Sequence, residues 1–110
     1  MNPGELADHV KMLAEGIAIA TEEFKDTRNI HSFLHSIAAV REDLRLLGDH
    51  WPPGLNGHST VCTAIHRLVE AEKVGDPDQR IIRSQQASEE LRLLAQALLG
   101  ITPSRRPIGF

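Results

Sequence analysis

One cysteine, one tryptophan, three phenylalanines and no tyrosine stand among 110 residues. With Cys62 alone, an internal disulfide is excluded. So few aromatics argue against a β-sandwich, whose strands draw on aromatic and β-branched side chains. No stretch approaches the roughly 18 uninterrupted apolar residues of a membrane span. The N-terminal MNPGELADHVKML sets acids before any apolar run, unlike the basic-then-apolar order of a signal peptide. A cytoplasmic protein is the expectation. A strong excess of one charge is missing too: the formal net charge is −3, so neither nucleic acid nor an anionic membrane is an expected partner.

Familiar catalytic signatures are also missing. The sequence has no Gly-rich phosphate loop, no nucleophile elbow, no Cys-x-x-Cys pair and no His-Glu-x-x-His. The Glu-x-x-His pairs that build dinuclear iron sites in helical bundles do not occur. The reading leans away from an enzyme, and no cofactor is expected.

What is present is helical periodicity. Apolar residues make up 41% of the chain and charged residues 25%, a balance that supports one folded core rather than disorder. The length suits one domain, residues 1–101, followed by a basic, Pro-containing tail over 102–110 that reads as extended or flexible. The fold class expected is all-α: a small four-helix, mostly antiparallel bundle with helices over about 3–26, 29–47, 59–74 and 77–99.

In the first helix Leu6, Val10, Leu13, Ile17, Ala20 and Phe24 step by fours and threes, a coiled-coil-like seam. Met12 and Ile19 widen it, and Gly16 beside it offers room for a neighbouring helix. Asn2 is the expected N-cap, with Pro3 in the first turn. The register breaks after Phe24, which predicts a connection at residues 27–29, capped by Thr27 or Asn29; one long kinked helix is the alternative.

Ile30, Phe33, Leu34, Ile37, Val40, Leu44 and Leu47 stripe the second helix, the expected centre of the fold. Gly48 is its expected left-handed terminator. The run DHWPPGLNGHS, with two prolines and two glycines, excludes regular structure and forms the central loop. Val61, Cys62, Ile65, Leu68, Val69 and Val74 stripe the third helix, with Ser59 as its cap. Gly75-Asp76-Pro77 ends it and starts the fourth, which carries Ile81, Ser84, Ala87, Leu91, Leu94, Leu98 and Ile101. The apolar second half of the fourth helix is expected to be its better-buried part.

Charge is distributed unevenly. Residues 1–26 hold six acids against Lys11 and Lys25, whereas residues 76–110 hold five arginines against four acids. Contact between the two ends would be favourable and sensitive to salt. Arg80 and Arg83, interleaved with acids, read as a solvated or salt-bridged face.

Several residues qualify as a site. His31 and His35 are four apart, a spacing at which two imidazoles share a metal, though boundary histidines are the commoner outcome. His58, Cys62 and His66 also step by four and combine imidazole with thiolate, which suits zinc. A free cysteine on an apolar stripe is more often a small buried hydrophobe, and that is the expectation for Cys62. Trp51, beside His50, either contacts a ligand or partner or closes one end of the core with its N–H on a carbonyl.

The expected function is that of a non-catalytic interaction or regulatory module. Its apolar seams, with Met12, Ile19, Leu93 and Leu99 flanking them, exceed one core, which predicts self-association as a homodimer and allows another protein as partner. The alternative is a ligand- or metal-binding bundle, or an enzyme, with a site among His31, His35, Cys62, His66 and the Trp51 loop.

Overall fold

The computed structural model describes residues 2–100. They form four helices: α1 (Pro3–Thr27), α2 (Ile30–Asp49), α3 (His58–Lys73) and α4 (Pro77–Gly100). Among the described residues there is no strand, and no helix is long and apolar enough to cross a membrane. Ile101 and the tail, residues 102–110, lie outside the described residues.

The sequence dictates the ends of α1. Asn2 and Glu5 form a reciprocal capping box: the Asn2 side chain accepts the Glu5 N–H at 2.8 Å, and the Glu5 carboxylate accepts the Asn2 N–H at 3.2 Å. Arg28, left-handed at φ 57°, terminates the helix. Asn29 then caps α2 by accepting the Ser32 N–H at 3.1 Å, and the Thr27 hydroxyl accepts the Asn29 N–H. The chain therefore breaks into two helices rather than one kinked rod.

The helices pack in a ring, α1 on α2, α2 on α3, α3 on α4 and α4 back on α1; the diagonal pairs scarcely touch. Each neighbouring pair is antiparallel. Gly16 lies over Val40 and Glu23 accepts from Ser32 between α1 and α2. Gly48 lies over Val61 and Arg41 pairs with Glu72 between α2 and α3. The pairs Arg67–Glu90 and Arg83–Glu70 run the same way between α3 and α4.

The core holds all six seam residues of α1, with Phe33, Ile37, Leu44 and Leu47 of α2. Ile30, Leu34 and Val40 pack against it, half-buried. At the α1–α2 junction Phe24 and Phe33 meet with ring centroids 4.8 Å apart. At the opposite end Trp51 closes the core, its indole N–H donating to the Leu55 carbonyl at 2.9 Å. Gly57, at φ 125°, lets the chain pass beneath the ring. A Cβ there would stand 2.7 Å from Trp51 and 2.8 Å from Leu94.

Five expectations are corrected. Gly48 lies inside α2, which runs on to Asp49 with His50 as its C-cap. Gly57, not Ser59, is the N-cap of α3, and it offers no side-chain cap. The buried face of α3 is Val61, Ala64, Leu68 and Ala71. Cys62, 100° further round the helix, is exposed rather than buried, and Val69 and Val74 are only partly covered. Burial runs along the whole of α4, from Arg80 and Ile81 to Leu98, not mainly its second half. Finally, Arg80 is 8% exposed instead of solvated. Its guanidinium donates to the carbonyls of Ala71 at 2.7 Å, Glu72 at 3.1 Å and Val74 at 2.6 Å, and it stands over the Phe33 ring. It satisfies the orphan carbonyls at the C-terminus of α3, where a cation also suits the helix dipole.

Candidate interaction surface and histidine strips

The outer surfaces of α1 and α4 retain large apolar side chains, Met12 and Ile19 on the α2 side of α1 and Leu93 beside Ser59 and Thr63 of α3. Met12 is 63% exposed and Ile19 69%, two turns apart on α1; Leu93 is 54% and Ile82 43% exposed, three turns apart on α4. Helical position explains this. Residues 12 and 19 are each a turn-third away from the 6-10-13-17 seam, so folding the monomer leaves them outside.

Between the helices runs a groove of about 390 Å³. Ala14, Ala18 and Thr21 line it from α1, and Gln85 and Ser88 from α4. Lys11, Glu15 and Glu22 edge one side, Glu89 and Arg92 the other. The groove exists because small residues line this contact. Ala7, Ala14 and Thr21 repeat every seven positions on the α4 side of α1, and all are buried. Ser88 answers from α4 by donating its hydroxyl to the Ala14 carbonyl at 2.8 Å, a bond only closely approaching helices can form. The sequence reading missed this row because it followed the large apolar positions. The repeat of small residues at seven was the signal.

Charge is organised chiefly around α3. Arg67 binds Glu90 at 2.9 Å and Gln86 at 3.2 Å, Glu70 meets Arg83 at 3.3 Å, and Arg41 holds Glu72 through two nitrogens. Hydrogen bonds donated to their carboxylate partners push the Arg67 and Arg41 guanidinium pKa values further up, so both stay charged throughout the physiological range. On α2, Arg45 hydrogen-bonds Glu42 and holds its carboxyl below the usual range. Among the described residues no ion pair joins α1 to α4.

His31 and His35 are both exposed on the first turns of α2. Trp51 and His50 follow the other end of that helix, about 30 Å away at 1.5 Å per residue. His50 is exposed, with Nδ1 3.0 Å from the Leu46 carbonyl. On α3, His58 opens the helix and its Nδ1 stands 3.7 Å from Cys62 Sγ. His66, two turns along, lies 3.4 Å from Glu70. Among the described residues no three His, Cys, Asp or Glu side chains are gathered as a metal would require. The structure brings together His58 with Cys62, and His66 with Glu70, but not His31 and His35 with the Trp51 loop.

No known protein family, curated protein or solved structure matches this chain. Any functional reading therefore stands on the surfaces just described. The exposed apolar positions of α1 and α4 are the more extensive of these; the His58–Cys62 pair is the more chemically specific.

Proposed function

We propose that the chain is a non-catalytic helical interaction module that self-associates as a homodimer through the outer faces of α1 and α4. The observation carrying this reading is the exposure of Met12, Ile19 and Leu93, each by more than half, on helices whose inner faces are already fully packed. Scattered apolar residues are ordinary on a protein surface, but rows at helical spacing along two adjacent helices favour a partner.

Sedimentation of the full chain tests the reading. A dimer that becomes monomeric in the Met12→Glu, Leu93→Glu double variant, with helicity retained, supports it. A monomer at every concentration removes it.

A second reading, a metal-binding bundle, rests on His58 Nδ1 lying 3.7 Å from the exposed Cys62 thiol. Imidazole and thiolate one turn apart suit a soft or borderline cation, and His66 continues the strip. Native mass spectrometry with added zinc is the test: a stoichiometric adduct lost in Cys62→Ser supports this reading, and an adduct-free spectrum ends it.

A further inference from the structure

We infer that the outer surface shared by α1 and α2 docks a basic amphipathic helix of another protein, apolar at its middle and cationic at both ends, an inference that rests on reading the outer face of α1 as a contact surface and adds the chemistry of what it meets.

The surface is built round Gly16. Met12 and Ile19 stand on either side of it along α1, both exposed by more than three-fifths and about 10 Å apart along the axis. Gly16 has no side chain to fill the interval. Val40 of α2, half-buried, forms its floor, and a Cβ on Gly16 would lie 3.5 Å from it. An apolar hollow results, flanked by two large side chains. One aliphatic side chain of a neighbouring helix enters such a hollow as a knob enters a hole.

Charge selects the partner. At about 100° per residue, Glu5, Asp8, Glu23 and Asp26 fall within about 30° of the Met12–Ile19 row, two before it and two after. All four are exposed, and among the described residues none is in an ion pair. Asp43 adds a further acid on α2, one turn beyond Val40. The cations lie elsewhere. Lys11 is about 90° from the row and lines the α4 groove. Lys25 is about 130° away and bound to Glu22. Arg28 stands over the Phe24 ring, Arg41 pairs with Glu72 of α3, and Arg45 pairs with Glu42 and Asp49.

A second copy laying its own α1 here would set acids against acids. A helix with lysine or arginine at each end and aliphatics between them meets every group on the surface. Glu5 and Asp26 are about 32 Å apart along α1, so a partner helix of about 20 residues reaches both acidic pairs. The ends set its position and the middle holds it, so added salt weakens the contact without abolishing it.

The test titrates the full chain with a synthetic peptide of about 20 residues, lysine in its first and last turns and leucines spaced by threes and fours at its centre. A control peptide has the same composition with the leucines scattered round the helix. The amide signals of Met12, Gly16, Ile19 and Val40 are expected to shift and saturate, while those of Leu68 and Leu91 stay. Met12→Ser with Ile19→Ser, which leaves the charge unchanged, should weaken binding by about tenfold or more. Asp8→Asn with Asp26→Asn should weaken it several-fold. Equal binding of the two peptides, no saturable shift, shifts centred on α3 or α4, or an affinity indifferent to either pair of substitutions overturns the inference. Sedimentation of the chain without peptide reads self-association separately: a monomer that binds the peptide as expected removes the dimer and keeps this contact, and a dimer indifferent to the peptide does the reverse.

Discussion

Gly57 and Arg80 bear more on the fold than their residue types suggest. At φ 125°, Gly57 occupies backbone that side chains rarely adopt, and a Cβ would collide with both Trp51 and Leu94. Gly57→Ala is expected to destabilise by about 2–4 kcal/mol, from backbone strain and overpacking together. Because Trp51 is the only tryptophan, its fluorescence reports directly on that end of the bundle. A red shift with an earlier denaturation midpoint is the expected result; an unchanged midpoint would show that the loop does not hold this conformation.

Arg80 works at the other end. Removing its guanidinium strands the carbonyls of Ala71, Glu72 and Val74 and empties the space over Phe33. Arg80→Ala is expected to cost roughly 2–4 kcal/mol, judged against charge-assisted hydrogen bonds of about 1.5–3 kcal/mol each. Arg80→Lys recovers only part of this, because one ammonium cannot reproduce a fork reaching three carbonyls. Equal stability of the Ala and Lys variants in a denaturant titration would contradict the capping role.

At the scale of elements, Gly16 offers a contrast with Gly57. It sits mid-helix, and an added methyl would meet Val40 at 3.5 Å, an ordinary contact. Gly16→Ala is thus expected to stabilise the protein by about 0.5–1 kcal/mol through helix propensity. A loss of stability would mean that α1 and α2 lie closer than this.

The same scale shows what the sequence made legible. Stripes of large aliphatics gave α1 and α2 their faces, and Asn2 and Asn29 announced their starts because asparagine caps by a local, sequence-adjacent bond. Face assignment failed on α3, where Ala64 and Ala71 share the buried side with Val61 and Leu68 while larger Val69 is only partly covered. Small residues bury silently, and size alone misdirects the reading. Arg80 was illegible for another reason: its partners are backbone carbonyls, which carry no sequence identity. The exposed rows at Met12 and Ile19 could be seen, whereas the groove beside them required knowing which helix α1 adjoins. Cys62 tests the α3 register itself. An exposed thiol should react with a disulfide reagent in the native protein at one equivalent per chain, and reaction only after denaturation would return Cys62 to the core.

At the scale of the molecule, the tension lies between a complete core and an incomplete surface. The centre needs no partner: Ile37, Leu44, Leu68 and Leu91 are wholly buried within one chain. A single Ile37→Asp substitution should therefore unfold the bundle, since a buried, unpaired carboxylate has nothing to compensate it. Met12→Glu and Leu93→Glu stand in the opposite position. Exposed as they are, 63% and 54%, these residues contribute little to the monomer, and charging them should leave the helical circular-dichroism signal intact. If the outer face of α1 and α4 is the seam between two copies, the double variant instead places four carboxylates in that seam, two from each protomer. The dimer should then give way to monomer across the micromolar range, and its thermal midpoint should lose its dependence on protein concentration. The two variants separate core from interface: one melts the fold, the other changes only the mass. A concentration-independent wild-type midpoint, unchanged by either surface charge, would show that these apolar rows meet no second copy.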